Sequence, residues 1–280
     1  MPEKTIYTFK PVDKLTFTDD YMFGTIMRDP EICAGVIERL LKIKVGHIEY
    51  PELQKTLKPA YESKGVRFDV YVKDSDRIFD VEIQNKIVAD LPKRTRYYQS
   101  MIDMDCLLRG EDYENLPESY IIFICRQDPF KRDLPRYTFK STCRENGAVL
   151  LDDKTTRVFY NVNAYENSDD AELKAFLHFV CKNEADDDFT RTLESRIRTI
   201  IDSEKFRTEY LAVNLHDRDL IKEGRREGIE LGITQGSHNK AVETARNLLN
   251  MGVLTTEQIA QCTGLTAEEL AAVTAEVTAK

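Results

Sequence analysis

The sequence predicts an α/β fold in which a mixed β-sheet is flanked by helices and followed by an all-α C-terminal extension. Residues 67–84 alternate β-branched or aromatic side chains with polar ones, which is typical of two short strands. Residues 120–125 (YIIFIC) form a nearly continuous apolar run, which indicates a central strand covered on both faces. From Asp169 onward no strand pattern recurs, and the rest of the chain has a helical pattern.

The first helical stretch is predicted over residues 18–43. Thr18 is suited to the N-cap position, and Asp19 and Asp20 then occupy the first turn, where the helix dipole favours acids. Pro30 is expected to open a second helix within this stretch, because proline is favoured at the first helical position. On this interpretation Asp20 only stabilises the start of the helix.

A β-hairpin is predicted over residues 67–84, with a polar turn at residues 74–77. Alternation should direct Phe68, Val70 and Val72 to one face of the first strand. A loop of two residues, or a symmetric loop of four, makes the numbers of paired residues sum to 151. Asp69 then lies directly opposite Glu82, so the hairpin brings two carboxylates to one face.

These opposed acids have two interpretations. Directly opposed side chains in an antiparallel pair have Cβ atoms about 5 Å apart, and like charges at that spacing are destabilising. A hard divalent cation would offset the repulsion, because Mg²⁺ prefers oxygen ligands and is commonly held by one or two carboxylates plus water. The alternative is a solvated polar face whose acids repel only weakly in water.

A helix is predicted over residues 92–108, with Pro92 as its first residue. Its first turn carries Lys93, Arg94 and Arg96, three cations where the helix dipole favours anions. A phosphate bound there would interact with these cations and with the free N–H groups of the helix start. Ordinary solvation of each basic side chain is the alternative.

Further strands are predicted at residues 136–140, 149–151 and 157–162, the last two separated by a turn-rich segment. Beyond Asp169 the apolar spacing predicts two helices separated by an acidic break at residues 184–188. A mixed sheet flanked by helices follows from this order of elements.

Glycines at every fourth position mark the segment that begins at Gly224 and continues through Gly228, Gly232 and Gly236. This spacing puts them on one stripe of a helix, which would permit close approach of another helix. The alternative is a loosely formed linker, since each interior glycine weakens a helix by about 1 kcal/mol relative to alanine.

Residues 255–273 have the pattern of a helix-turn-helix. Residues 253–279 contain four glutamates and no Lys or Arg, whereas a recognition helix presents basic or amide side chains to bases and phosphates. We therefore interpret this stretch as an interaction or oligomerisation hairpin and expect a homodimer through the C-terminal helices. The predicted domains are residues 1–165, 166–222 and 223–280.

Composition limits the function classes. The 280 residues are 41% hydrophobic and 32% charged, as in a globular protein. A net charge of −9 argues against a protein that coats nucleic acid, because sequence-independent affinity for DNA comes mainly from Lys and Arg. The six cysteines and four histidines are scattered, which predicts neither a disulfide framework nor a zinc site. Without an apolar span or signal core, the sequence predicts a cytoplasmic protein.

Four stretches, taken in order, carry a resemblance to a known family. They are DYMF at 20–23, Asp69 followed by twelve residues and then Glu82-Ile83-Gln84, KRTRYY at 93–98, and Gly110 with Tyr113 before the apolar strand. The second resembles the D-x(n)-(D/E)-x-K core of the PD-(D/E)XK nuclease superfamily, with glutamine in place of lysine. Together the four resemble the Rpn family of recombination-promoting nucleases, whose members are also described as transposases. The resemblance covers most of residues 15–165.

The resemblance implies a PD-(D/E)XK nuclease-like domain and a set of site residues. Asp69 and Glu82 would hold Mg²⁺ or Mn²⁺, assisted by the main-chain carbonyl of Ile83 and by Asp20 as an additional acid from the first helix. Gln84 would complete the catalytic motif; it can orient water or phosphate but cannot supply the charge of lysine.

The same resemblance implies contacts to DNA. Arg94, one turn before the Tyr-Tyr pair, is the basic residue singled out for phosphate binding, with Arg96 beside it. Lys86, two residues beyond Gln84, could replace the missing lysine if strand pairing continues that far. Gln99 is a candidate for the site lining, or else an ordinary surface residue.

The function expected from this resemblance is that of a metal-dependent DNA endonuclease which hydrolyses phosphodiester bonds in recombination or element mobility. One alternative is a catalytically inactive nuclease fold that serves as a DNA-binding or assembly module. Another is a helical partner-binding protein whose acidic pair is incidental. Metal binding that depends on Asp69 would separate the first function from the other two.

Overall fold

The structure, a computed structural model, describes residues 9–46, 48, 51–57, 65–86 and 88–278. The chain divides into two compact units: Phe9–Tyr210 forms one, and the other contains the residues from Leu211 onward. No helix in the described ranges is long and apolar enough to cross a membrane. All six cysteines are free thiols.

Eight strands and eight α-helices are found in the described residues. The strands are β1 Glu52–Leu53, β2 Thr56–Leu57, β3 Val66–Arg67, β4 Val70–Asp74, β5 Arg77–Gln84, β6 Glu118–Cys125, β7 Arg136–Phe139 and β8 Thr155–Asn161. The α-helices are α1 Asp20–Ile26, α2 Pro30–Leu41, α3 Leu91–Cys106, α4 Ala171–Lys182, α5 Asp188–Asp202, α6 Glu204–Met251, α7 Thr256–Thr263 and α8 Ala267–Thr278. Short 3₁₀ helices cover Val12–Lys14, Tyr113–Asn115 and Val162–Asn167.

The first unit is a mixed six-stranded sheet with the order β1-β4-β5-β6-β8-β7. Strands β5, β6 and β8 are parallel, whereas β4 and β7 run antiparallel to their neighbours. One face of the sheet packs on a core that includes side chains of α1, α2, α4 and α5, and the other face packs on α3. The predicted α/β class, with a mixed sheet between helices and an all-α extension, is confirmed.

Strand β6 is buried on both faces, as its apolar run predicts. Ile122 and Ile124 contribute to the core beneath α1 and α2, while Ile121 and Phe123 contribute to the core beneath α3. The strand lies inside the sheet between β5 and β8, so its central position is also confirmed.

The predicted hairpin register is confirmed. Strands β4 and β5 are joined by a loop of Ser75 and Asp76, and Val70 pairs with Val81 while Tyr71 pairs with Asp80, so paired numbers sum to 151. The predicted face of Phe68 is wrong, because the chain bends at Asp69 between β3 and β4. Phe68 is therefore buried beneath α3 together with Tyr71, on the opposite side of the sheet from Val70.

The helix boundaries agree with the sequence to within a few residues. Helix α1 begins at Asp20 with Asp19 at the N-cap position, one residue later than predicted. Pro30 opens α2, with Asp29 as its N-cap, as predicted. Helix α3 begins at Leu91 rather than Pro92 and ends at Cys106.

The strand predicted at residues 149–151 is wrong. Only an isolated bridge between Thr142 and Leu150 forms there, and Leu150 and Leu151 are exposed. Side chains with no sheet face to cover them gain nothing from strand pairing, so apolar character alone did not identify a strand. Strands β1, β2 and β3 have two residues each and were not predicted.

Helices α4 and α5 belong to the first unit, since Leu173, Phe176 and Leu193 are buried in the same core as α1 and α2. Phe206 and Tyr210, at the start of α6, complete that core, and the Tyr210 hydroxyl donates to the Lys10 carbonyl at 2.8 Å. The predicted domain boundaries at 165 and 222 stay a prediction.

Helix α6 is a continuous 48-residue helix that begins in the first unit, and its part in the second unit contains all four spaced glycines. Helices α7 and α8 form the predicted hairpin: Thr255 caps α7 through a capping box with Gln258, and Gly264 ends the helix at φ +71°. Their small core is formed by Ala245, Ile259, Leu265, Leu270 and Val273.

Candidate active site

Asp69 and Glu82 are joined by two reciprocal hydrogen bonds at the open end of the hairpin. The Asp69 N–H donates to Glu82 Oε1 at 2.8 Å, and the Ile83 N–H donates to Asp69 Oδ2 at 3.2 Å. Each carboxylate therefore binds the main chain of the other strand. The hairpin register and the bend before β4 together hold the two acids side by side.

Burial changes the protonation of both acids. Glu82 is 1% exposed, and burial followed by the charge of Asp69 raises the pKa of Glu82 to about 8. Burial also raises the pKa of Asp69 to about 6, against the lowering effect of the hydrogen bond from Ile83. Near neutral pH the pair therefore holds about one proton, mainly on Glu82, and a bound cation would displace it.

Asp80 is a third acid on the same face of β5, two residues before Glu82. It is 0% exposed, and neither of its carboxylate oxygens has a hydrogen-bond partner among the described residues. Burial, followed by the charges of Glu82 and Asp69, raises the pKa of Asp80 well above its ordinary value. Asp80 is therefore a neutral acid behind the pair.

Arg94, in the first turns of α3, forms an ion pair with Glu82. Its guanidinium donates from Nη2 to Glu82 Oε2 at 2.9 Å and from Nη1 to Gln84 Oε1 at 3.1 Å. A third bond runs from Nε to the Tyr98 hydroxyl at 2.8 Å, and the guanidinium lies 5.5 Å from the centre of the Phe123 ring. These contacts fix a positive charge beside Gln84, where the family motif has lysine.

Asp20 lies at the edge of the same acidic region. Its carboxylate accepts from Asn85 Nδ2 at 3.4 Å, and Asn85 also donates to the Thr18 carbonyl at 2.9 Å. Burial and the charge of Asp19 raise the pKa of Asp20, and the Asp20 charge in turn raises the pKa of Asp69. The first helix therefore brings a further acid within electrostatic range of the pair.

The structure does not bring all of the remaining predicted site residues to the acidic pair. Lys86 is exposed and lies past the end of β5, so the strand pairing that would align it with Glu82 does not continue. Arg96 is exposed on α3. The Ile83 carbonyl remains a predicted ligand.

Gln99, predicted as a candidate for the site lining, makes its hydrogen bonds away from the acidic pair. Gln99 is buried and donates to Asp103 Oδ1 and to Ser119 Oγ, both at 2.8 Å. Ser119 is the register partner of Ile78, four residues and about 13 Å before Glu82 along β5. Gln99 therefore fixes α3 to the other end of the sheet.

The donor set suits a hard divalent cation. In the described residues no three His, Cys, Asp or Glu side chains converge into a ready-made metal cluster. Asp69 and Glu82 nevertheless supply oxygen ligands of the kind that Mg²⁺ and Mn²⁺ prefer, and Mg²⁺ is commonly held by one or two carboxylates plus water. The residues thus fit a metal held partly by water.

Sequence reasoning missed three members of this region. Asp80 carried a signal, because residues two apart on a strand share a face. The contact of Asn85 with Thr18 joins distant elements, so no local pattern marks it. Arg94 and Tyr98 lie four residues apart on α3, so their i,i+4 spacing is a local signal for their contact.

One comparison with known proteins gives a match. Residues 17–210 match the family model described as PD-(D/E)XK nuclease family transposase. No curated protein and no solved structure shows a significant match to the chain.

Proposed function

This chain belongs to the PD-(D/E)XK nuclease family transposases, and from that membership we propose that it is a metal-dependent DNA endonuclease that hydrolyses phosphodiester bonds. Nucleases of this superfamily generally use divalent metal ions. The observation that carries the proposal is the buried Asp69–Glu82 pair, from which a bound cation would displace the proton held mainly by Glu82. The transposase description also supports a role in DNA recombination or element mobility.

Asp69 and Glu82 would hold Mg²⁺ or Mn²⁺, with the Ile83 carbonyl and Asp20 as further ligands. The bound ion would polarise the scissile phosphate and lower the pKa of a water molecule. Near neutral pH Glu82 must release its proton as the ion binds, and the nearby guanidinium of Arg94 favours that release because it lowers the pKa of Glu82.

Arg94 is the residue that would bind the phosphate and compensate for Gln84. A guanidinium can contact two phosphate oxygens at once, and this one is already oriented by Gln84 and Tyr98. Gln84 then acts by positioning Arg94 rather than by carrying charge. Lys86 and Arg96, both exposed, would contact flanking phosphates.

The test is plasmid cleavage by the full chain across a series of divalent metals. Asp69→Asn keeps an acceptor for the Ile83 N–H but removes the charge, so we expect cleavage to fall at least about 100-fold and calorimetric Mn²⁺ binding to be lost. Asp76→Asn, in the exposed loop of the same hairpin, is the matched control and should cleave normally.

Two results would replace this proposal. Cleavage that persists in Asp69→Asn would place the active site elsewhere. DNA binding in chelator without cleavage under any metal would favour the inactive DNA-binding or assembly module.

We also propose a homodimer formed through the C-terminal helices. Ile229, Leu231 and Ile233 of α6 are each more than half exposed, and a Cβ at any of the four spaced glycines would meet no described atom within 4 Å. Such an open, partly apolar helix surface supports assembly, and symmetric dimers are the commonest soluble oligomers.

A further inference from the structure

A second concave site lies beside α3, on the same face of the sheet as the acidic pair. It is a cavity of about 320 Å³, near the lower limit for small-ligand sites. Three phenylalanines, Phe130, Phe139 and Phe159, and two arginines, Arg96 and Arg157, contribute to its lining. We call it the Phe–Arg cavity.

The strand register fixes the separation between the Phe–Arg cavity and the acids. Glu82 pairs with Phe123 on β6, and Phe123 pairs with Phe159 on β8. Neighbouring strands lie about 4.8 Å apart, so Phe159 is about 10 Å from Glu82 across the sheet. The buried Phe123 and Phe159 rings, which lie between the two sites, are stacked with centroids 5.7 Å apart.

The aromatic rings leave a partly open apolar wall. Phe130 and Phe139 both meet Phe159 edge to face, with centroids 5.1 and 5.7 Å away. Phe139 is nevertheless 43% exposed, although it stands in a strand whose neighbour Tyr137 is buried. An exposed aromatic face beside a cavity can stack on a planar ligand.

The charge at the Phe–Arg cavity favours an anionic ligand. Within the described part of the chain, neither Arg96 nor Arg157 forms an ion pair, and Arg157 Nε is buried without a hydrogen-bond acceptor. The charges of Asp103 and Asp153 act on Arg157 only at longer range. Two such guanidiniums in a chain of net charge −9 mark a local preference for phosphate.

We propose that the Phe–Arg cavity binds an unpaired nucleobase a few nucleotides from the scissile phosphate, with Arg96 and Arg157 contacting its phosphate. This inference rests on the proposed nuclease function. Bases in an intact duplex are stacked inside the helix, so only a single strand, an unpaired tail or a locally opened duplex can present one. The preferred substrate class is therefore DNA with an unpaired strand next to the cleavage position.

The test compares binding of three fluorescent DNAs of the same sequence: a single strand, its duplex, and the duplex with an unpaired tail. The full chain carries Asp69→Asn so that it binds without cutting. We expect the tailed duplex and the single strand to bind at least about 5-fold more tightly than the blunt duplex, because stacking of one base on an aromatic side chain increases affinity by at least that factor. Phe139→Ala should remove this difference, whereas Leu151→Ala, at an exposed residue outside the cavity, should keep it.

A scan of abasic substitutions along the tail makes the test specific. Removal of one particular base should weaken binding by the parent protein at least about 5-fold and have no effect on Phe139→Ala, because that base has lost its stacking partner. Phe139→Leu keeps apolar bulk without an aromatic face and should behave like Phe139→Ala.

The possible failures are distinguishable. Equal binding of all three DNAs, or a flat abasic scan, together with normal cleavage by the unsubstituted chain would overturn the cavity's role and leave the nuclease proposal intact. Selective binding of unpaired strands without cleavage in any metal would overturn the nuclease proposal and retain the cavity's role. Absence of both binding and cleavage would overturn both.

Discussion

At the scale of single residues, the clearest feature is that Arg94 supplies the positive charge that the motif usually has at its lysine position. The motif position that usually carries lysine is Gln84, and Arg94 from α3 places its guanidinium against both Gln84 and Glu82. The cation is thus supplied by a helix rather than by the strand. The sequence could not establish this substitution, because the two residues belong to different elements.

Arg94→Ala should reduce cleavage by about 100-fold, because a fixed charge at the scissile phosphate is lost. Arg94→Lys should recover only part of the rate, since an ammonium cannot reproduce three hydrogen bonds in one plane. Lys93→Ala, an exposed neighbour in the same helical turn, is the control and should retain activity. The measurement is the single-turnover cleavage rate of each variant. Equal losses of rate in Arg94→Ala and Lys93→Ala would contradict a specific role for Arg94.

The acids predict an inverted dependence of stability on pH in the metal-free protein. The pKa of Glu82 is about 8 when folded and near the ordinary 4.5 when unfolded, so between these values the folded state retains a proton that the unfolded state has released. Stability is therefore highest at low pH and falls as pH rises, by up to about 1.4 kcal/mol per pH unit for each such proton. Urea unfolding between pH 5 and 8.5 measures the slope.

Asp80→Asn and added metal are the two controls for that slope. Asp80 also has a raised pKa, so a neutral amide at this position should leave stability at pH 5 nearly unchanged and make the decline toward pH 8.5 smaller. Saturating Mg²⁺ should reduce or reverse the decline, because it binds the deprotonated carboxylates. A slope identical in all three conditions would show that these groups do not titrate as described.

At the scale of elements, the same substitution should have opposite effects in two helices. A Cβ at Gly35 of α2 would lie 2.9 Å from Cζ of Phe189 on α5. The guanidinium of Arg39, also on α2, already covers that ring at 3.8 Å from its centroid. Gly35→Ala should therefore destabilise the first unit by about 1–3 kcal/mol. Gly228→Ala meets open space in α6 and should stabilise that helix by up to about 1 kcal/mol.

Thermal unfolding followed by circular dichroism separates the two outcomes. Gly228→Ala should also increase the helical circular dichroism signal, because alanine favours the helix more than glycine and the added Cβ contacts no other group among the described residues. A stabilising Gly35→Ala would mean that the Phe189 ring moves aside without cost.

The elements also show where sequence reasoning succeeds and where it fails. The hairpin register was predictable because a two-residue loop and strict alternation leave one pairing, and Pro30 fixed the start of α2 through its own geometry. The bend at Asp69, which reverses Phe68, depends on pairing with residues more than ten positions away. The position of Gln99 likewise depends on Ser119, a contact across the helix–sheet interface that no local pattern encodes.

At the scale of the whole molecule, truncation after Ile221 tests the proposed assembly. The cut leaves Phe206 and Tyr210 in place, so the first unit should stay folded and bind Mn²⁺ as the full chain does. We expect light scattering to give a dimer for the full chain and a monomer for the truncated chain, with double-strand cleavage reduced more than nicking. Identical masses would exclude assembly through this segment.

The contact between Lys10 and Tyr210 has a consequence for protein synthesis. Phe17 from the start of the first unit packs on Phe176 and Phe179 of α4, so one side of the sheet stays open until α4 and α5 have left the ribosome. At about 5–20 residues per second, the interval between the emergence of Glu82 and Tyr210 is on the order of ten seconds. A nascent or prematurely terminated chain thus carries both acids while one side of the sheet is uncovered, and we expect the proposed nuclease activity to begin only after the first unit is complete.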